Sequence, residues 1–226
     1  MYTIQKNLNR LSNYQPTFFL DPKEQNELKR KLRKDEYKVF KPFNDSEKVI
    51  FYIDEEPEVI LYEIKSKQEL RHQDILGTMY SLNISPEMFG DIILYDGRYF
   101  IYVLKLFQNY FEMNFTKVRN SSVELVSLDI SYLEDYERDY EEIELIVSSE
   151  RIDTVISNII HSNRNVIKDI IKDKEILLNH DLLKNNSYVL KPGDVFSIRK
   201  FGKYKYVGII KSTKKDNYIV KCLKYL

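Results

Sequence analysis

Between Val59 and Leu128 the hydrophobic pattern switches between strand and helix periods in a fixed order, and that order constrains the fold more than any other feature of the chain. Val59 to Lys65 alternates as a strand, and Gln68 to Leu82 reads as a helix. Ile92 to Tyr95 and Arg98 to Val103 are strands around Asp96-Gly97, a dipeptide suited to the positive backbone angles of a two-residue hairpin. A helix from Leu104 to about Asn114 and a strand from Ser122 to Leu128 complete a β-α-β-β-α-β series.

That order is the split βαβ, or ferredoxin-like, arrangement, which many RNA-recognition domains share with many unrelated proteins. A sheet used in the RNA-recognition mode shows exposed aromatics on its central strands, for which Tyr95, Tyr99 and Tyr102 are candidates. Alternation puts Tyr99 and Ile101 on one face and Phe100 and Tyr102 on the other. Core packing is the expected fate of at least two of the three tyrosines. Upstream, Asp21-Pro22-Lys23-Glu24 reads as a capped helix start, the helix running to about Arg33. Tyr37 to Phe40 and Val49 to Ile53 are short strands around the Pro42-Phe43-Asn44-Asp45 turn.

Charge divides the chain further. Arg151 to Leu226 carries 16 Lys or Arg against 7 Asp or Glu, an excess of nine positive charges, while the whole chain balances at 35 of each. The first 150 residues therefore hold an equal negative excess, nearly all of it between Asp129 and Glu150, where nine acids meet one base, Arg138. A cationic block of this kind is the footprint of a module that binds polyanions by neutralising phosphates and releasing their counterions. The acidic stretch reads either as an RNA mimic that occupies the basic module or as a charged connecting segment ending in a strand, Ile143 to Val147; charge runs are more often the latter.

Within the cationic block, Ser148 or Ser149 is placed to cap a helix whose Ile152, Val155, Ile156, Ile159 and Ile160 form one apolar stripe. A second helix after His161-Ser162-Asn163 turns Val166, Ile167, Ile170 and Ile171 inward and leaves Arg164, Lys168 and Lys172 on an outer arc. Ile176 and Leu178 begin a strand that turns at Asn179-His180, and Lys191-Pro192-Gly193-Asp194 leads into Val195 to Arg199. In Arg199-Lys200-Phe201-Gly202-Lys203-Tyr204-Lys205-Tyr206 cations alternate with aromatics. A half-buried strand would bury the tyrosines and place Lys203 and Lys205 together on the opposite surface.

These residues resemble the S4 RNA-binding domain, found in a small-subunit ribosomal protein, pseudouridine synthases, some tRNA synthetases and ribosome-rescue factors. The family's R-L-D is matched by Arg151-Ile152-Asp153, its S-R by Asn163-Arg164, its V-x-V-N-G by Ile176 to His180 and its G-D-x-I-x-V by Gly193 to Ile198, in continuous register over about 50 residues. Phe19-Leu20-Asp21-Pro22-Lys23-Glu24-Gln25, His72-Gln73-Asp74-Ile75-Leu76-Gly77, Gly90-Asp91-Ile92-Ile93 and the Phe201-Gly202-Lys203-Tyr204-Lys205 run make the chain similar to the bacterial YlmH family over nearly its full length. Family arginines are missing at Gln73 and Pro86, a glycine pair at Lys41-Pro42, and the lysine and alanine after S-R-S at Val166 and Ile167; Lys174, in place of a glycine, supplies a charge nearby.

The resemblance implies a ribosome-associated RNA-binding protein that acts on large subunits retaining peptidyl-tRNA. RNA contacts are then expected at Arg151, Asn163, Arg164, Lys168, Lys172, Lys174, Asn179, Arg199, Lys200, Lys203 and Lys205, with Asn163 and Asn179 fixing backbone turns. The expected architecture is α+β: an N-terminal α+β domain over 1–57, a central ferredoxin-like domain over 58–130, an acidic connecting segment over 131–149 and an S4-type domain over 150–226. The expected partners are structured RNA, rRNA or tRNA, and the large ribosomal subunit, for a monomer in the cytoplasm.

Catalytic and cofactor motifs give little support to an enzyme. A single cysteine, Cys222, and three scattered histidines offer neither a disulfide nor zinc spacing, no apolar run is long enough to span a bilayer, and no cofactor is called for. Pseudouridine synthases use an Arg-x-Asp tripeptide whose aspartate is the nucleophile, but Asp153 in a helical first turn is explained by the helix dipole. His72 reads as structural, Gly77 as a site of close backbone packing more readily than of RNA approach, and Glu47-Lys48 resembles the family's E-R, which an exposed ion pair explains equally well. The reading is thus of a non-enzyme. An RNA-modifying enzyme, or a protein-interaction factor linked to cell division, stands as the alternative.

Overall fold

The computed structural model describes residues 2–163, 166, 170, 175–213 and 217–225. The fold is α+β, and the chain divides into two compact units, Met1–Glu137 and Arg138–Leu226. No helix among the described residues is long and apolar enough to cross a membrane.

The first unit opens with two helices, α1 (Tyr2–Ser12) and α2 (Pro22–Lys29), and an antiparallel pair, β1 (Lys38–Phe40) and β2 (Ile50–Tyr52). Helix α1 was not expected, although Ile4, Leu8 and Leu11 lie at i, i+4 and i+7 and pack with Leu28 and Phe51. Helix α2 begins as read: the Asp21 carboxylate accepts from the Glu24 amide at 2.8 Å and the Glu24 carboxylate from the Asp21 amide at 3.0 Å. It stops at Lys29 rather than Arg33, where four cations among Lys29 to Arg33 crowd one end and the backbone loosens onto the Leu28 carbonyl.

The central series then appears as β3 (Val59–Ser66), α3 (His72–Ser81), β4 (Phe89–Tyr95), β5 (Arg98–Leu104), α4 (Gln108–Asn114), a short β6 (Lys117–Val118) and β7 (Ser121–Leu128). Sheet order is β4-β5-β3-β7-β6, with every pairing antiparallel. The β4–β5 hairpin turns through Asp96 at φ 50° and Gly97 at φ 69°, as the dipeptide demands. Helix α3 starts at His72, not Gln68, because Arg71 is extended at φ −120° and ψ 150°.

Strands β3 and β5 are buried on both faces, which accounts for the near-continuous apolar runs in their sequences. On one face Tyr62, Ile64, Ile101 and Val103 pack with Ile75, Met79, Phe111 and Phe115 of α3 and α4 and their flanks. On the other, Leu61, Phe100, Tyr102 and Leu104 pack with Phe18, Phe19, Phe43 and Ile50 from the N-terminal segment and with Leu133 and Tyr136 from beyond the sheet. Residues before and after position 58 thus share one core. Gly90 marks the closest approach, since a Cβ there would lie 3.1 Å from the Phe19 ring and 3.3 Å from the Tyr102 Cβ.

A polar knot ties the same layers together. The Asp91 carboxylate accepts from the Glu47 amide at 2.7 Å and the Ser46 hydroxyl at 3.2 Å, while the Gln25 amide donates to the carbonyls of Leu20 and Glu47. Lys48 is not the exposed ion-pair partner expected of it. Its Nζ donates to the carbonyls of Pro86 and Phe89 at 2.6 and 2.8 Å and lies 4.1 Å from the Phe89 ring centroid. Burial pushes its pKa down to about 8 against the pull of Asp91.

In the second unit β8 (Tyr140–Val147), α5 (Ile152–Ile159), β9 (Ile176–Leu178), β10 (Asp181–Leu182), β11 (Val195–Ile198), β12 (Gly202–Ser212) and β13 (Tyr218–Tyr225) form a sheet of order β10-β9-β11-β12-β13-β8 with α5 against it. The acidic stretch is divided between the units, Ile130 to Tyr136 covering the first sheet and β8 forming an edge of the second. Ile152, Val155 and Ile156 meet Phe196, Ile198, Tyr204, Tyr206 and Val220 in one core. Neither Ser148 nor Ser149 caps α5; Arg151 occupies the cap position, its carbonyl accepting from the Thr154 and Val155 amides. Val166, expected inward, is 39% exposed, while Ile170 packs on the core; Ile167 and Ile171 lie outside the described residues.

Because Lys48 releases its proton near pH 8 when folded and near 10.4 when unfolded, the unfolded chain binds the extra proton between these values and this group's contribution to stability rises with pH. Urea unfolding of the protein and of a Lys48→Met variant should therefore show the parent gaining on the variant between pH 7.5 and pH 10. A difference independent of pH contradicts the buried clamp.

Candidate nucleic-acid interface

Lys203 and Lys205 lie where the alternation placed them. Tyr204 and Tyr206 of β12 enter the core, so the two lysines project together from the opposite face of the sheet. Lys203 pairs in register with Ser197 and Lys205 with Val195 and Leu223. The Lys203 Nζ sits 4.7 Å from the Tyr225 ring centroid, a cation–π contact, and Tyr140 meets the same ring edge-on. Tyr206 is fixed from the inside by donating to Glu150 at 2.7 Å, so β12 cannot rotate its lysines inward without breaking that bond.

At the β11–β12 turn, Lys200 adopts φ 70° and Phe201 is exposed between cations. Arg199 lies 3.6 Å from the Glu175 carboxylate with most of its side chain in solvent. Arg151 stands at the start of α5, its guanidinium donating to both oxygens of Asp153 at 3.1 and 2.7 Å. That pairing holds the Arg151 pKa above its ordinary value. Asp153, 2% exposed, also accepts from the Thr154 hydroxyl at 3.4 Å.

The two asparagines serve the backbone. Asn179, at φ 48°, donates to Asp194 at 2.8 Å and accepts from the Val195 amide at 2.9 Å, and Asn163 accepts from the Val166 amide at 3.1 Å. Arg164, Lys168, Lys172 and Lys174 lie outside the described residues. Among the expected contacts, then, Lys203 and Lys205 share a surface, Arg199 and Lys200 share the adjoining turn, and Arg151 and Asn179 are engaged by their own neighbours.

Two cations of this unit were overlooked. Lys221 pairs with Glu142 and Lys224 with Glu141 at 2.7 Å, joining basic β13 to acidic β8. Three residues apart, the two lysines leave β13 on opposite faces, and the pairing of β13 with β8 makes the acids of β8 charge partners of one strand of the basic sheet. Cys222, between these lysines, is buried, and its thiol is pushed up to about 12 by desolvation, which makes it an inert core group.

The central sheet does not offer the stacking platform of an RNA-recognition surface. Tyr102 lies fully buried under Phe43, its hydroxyl donating to the Ile130 carbonyl, and Phe100 is covered by Tyr132 at 5.7 Å between centroids. Tyr99 packs on the helical side. Tyr95 is 45% exposed, with Tyr136 edge-on against it. No group of three or more His, Cys, Asp or Glu side chains among the described residues could hold a metal ion.

Residues 54–132 match the family model described as "Putative RNA-binding domain in YlmH". Through this domain the chain is similar to the YlmH family. It is 27% identical over 149 residues to the Ribosome-associated protein quality control protein P2 of Bacillus subtilis (strain 168), an alignment covering 66% of this chain and 58% of that protein. The chain thus spans less than two thirds of the length of the curated relative it matches. A solved structure, the Cell division protein ylmH from Streptococcus pneumoniae, superposes with a TM-score of 0.46 at 24% identity over 59% of this chain and 92% of that one. The family motifs read from the sequence have visible jobs here: Asp21 caps α2, Gln25 and Asp91 tie the knot, and Gly90 admits Phe19.

Asp153→Asn keeps the shape of the side chain but removes the charge that holds Arg151. If the aspartate is structural, the substitution should destabilise the protein by about 1–3 kcal/mol in urea unfolding, the range for loss of a charge-assisted bond at a largely buried group. A catalytic aspartate held under strain predicts the reverse, unchanged or raised stability.

Proposed function

We propose that this protein is a non-enzymatic RNA-binding factor that associates with the ribosome and acts in quality control of large subunits that carry stalled peptidyl-tRNA. The observation that carries the reading is the pair of lysines on β12, fixed on one open face by the burial of Tyr204 and Tyr206, beside the cationic turn Arg199-Lys200. A sheet face with positive charges held by a rigid core meets the geometric requirement of a phosphate-binding surface, because the cations are positioned before the RNA arrives.

In this reading residues 150–226 form an S4-type domain and the central β-α-β-β-α-β sheet a ferredoxin-like one. Arg164, Lys168, Lys172 and Lys174, which lie outside the described residues, are further expected RNA contacts, with rRNA or tRNA as the ligand. The match to a domain described as RNA-binding and the ribosome-associated name of the Bacillus subtilis relative support the choice of partner. The protein works as a monomer in the cytoplasm.

The engagement of Asp153 by Arg151 favours this reading over an RNA-modifying enzyme, since the aspartate that such an enzyme would use as nucleophile is held in a bidentate pair. Incubation with bulk tRNA and rRNA followed by nucleoside analysis separates the two, with no new modification expected.

Lys203→Glu combined with Lys205→Glu should weaken binding to deproteinised large-subunit rRNA at least tenfold at 150 mM salt, leave the melting temperature within a few degrees, and abolish co-sedimentation with large subunits. Undiminished affinity in a folded double variant removes this face from the account.

A further inference from the structure

Helix α3 carries a glycine that the fold does not use. Gly77 was expected to mark close backbone packing, but a Cβ built there meets nothing within 4 Å, and the residue is exposed. Glycine inside a helix is less stable than alanine because its backbone loses more freedom on ordering. With no neighbour to accommodate, the missing side chain keeps a surface open.

That surface is one wall of a cleft of about 380 Å³ between α3 and the segment from the end of α4 to the β6–β7 turn. Gln73, Gly77 and Ser81 line it from the helix; Asn114, Lys117 and Arg119 line it from the other side. The lining is polar, and its cations reach solvent. Arg119 has a side chain 65% exposed and lies 3.5 Å from the Asp74 carboxylate, whose two oxygens already take a bidentate pair from Arg71 at 3.0 and 3.1 Å. The Asp74 carboxylate thus faces two cations, Arg71 and Arg119, and the lining of the cleft, with Asp74 set against Lys117 and Arg119, retains a positive excess.

We propose that this cleft is a second RNA contact, in which a sugar–phosphate strand lies against the bare backbone of α3 at Gly77 while Lys117 and Arg119 neutralise its phosphates. The proposal rests on the RNA-binding reading above and deepens it by giving the central domain a surface. It also accounts for how a domain matching an RNA-binding family does without the sheet face, where Phe100 and Tyr102 are sealed under Tyr132 and Phe43. The ligand is backbone rather than base: the cleft offers cations and amides and no exposed aromatic ring among its lining.

The test uses the full chain, deproteinised large-subunit rRNA and three variants: Gly77→Ala, Gly77→Leu, and Lys117→Glu combined with Arg119→Glu. Gly77→Ala should raise the melting temperature, as the loss of an unused helical glycine does, and still weaken RNA binding; a merely structural glycine would not separate the two. Gly77→Leu, which fills the cleft, should weaken binding several-fold. The double charge reversal should weaken it about tenfold or more and lower the slope of log affinity against log salt by about one to two. Should Gly77→Leu fail to fold, the charge reversal and Gly77→Ala still decide.

If the parent binds RNA and all folded variants bind equally well, the cleft is excluded while the C-terminal surface stands. If the parent does not bind RNA at all, the RNA-binding reading falls and takes the cleft with it. Protection of the cleft by poly-glutamate with RNA affinity untouched in the variants assigns it to an acidic polypeptide and also overturns the proposal.

Discussion

Strands β3 and β5 are covered on both sides, and most of what distinguishes this molecule follows from that double burial. A four-stranded antiparallel sheet with helices on one face ordinarily leaves the other face to water. Here Phe18, Phe19, Phe43 and Ile50 arrive from the N-terminal side, and Leu133 and Tyr136 from the C-terminal side, to close it over Leu61, Phe100 and Tyr102. The closure is what makes the residues before position 58 inseparable from the sheet. It also needs the Gly90 notch, which receives Phe19, and the Asp91–Lys48–Gln25 knot, which satisfies the polar groups that the closure buries.

Local signals in the sequence carried the elements well. Strand periods, the Asp96-Gly97 hairpin and the Asp21 capping box are determined by residues within one turn of each other, and the structure has them close to where they were read, whereas α2, α3 and α4 are shorter than the helices read, α4 beginning at Gln108 because Leu104 still belongs to β5. What escaped was set by distant partners. Lys48 looks like a surface lysine until Pro86 and Phe89 come over it. The fate of Tyr102 depends on Phe43, almost sixty residues away, and Gly77 shows its openness only once the β6–β7 turn is in place beside it. Helix α3 starts late for a local reason that was missed: Arg71 is extended and its side chain reaches Asp74.

The candidate site was legible in the same measure. Alternation along β12 placed Lys203 and Lys205 on one face without reference to the rest of the chain, and burial of Tyr204 and Tyr206 agrees. Arg151 and Asn179, chosen by motif, are bonded to Asp153 and Asp194 and so serve the fold at least as directly as any ligand. The opposed charges of the sequence meet on β8 and β13, where Glu141 and Glu142 pair with Lys224 and Lys221. An acidic strand at a sheet edge also discourages edge-to-edge association, a local use of charge that composition alone does not disclose.

In the proposed function RNA meets this protein on cationic surfaces and not on the aromatic face of its central sheet. Ultraviolet crosslinking of the protein bound to large subunits, with the crosslinked peptides sequenced by mass spectrometry, tests that claim most directly. The account predicts crosslinks on the β11–β12 segment around Lys200 to Lys205 and on the Lys117–Arg119 segment. Crosslinks concentrated on the β5 segment at Phe100 and Tyr102, with the cationic segments silent, would contradict it.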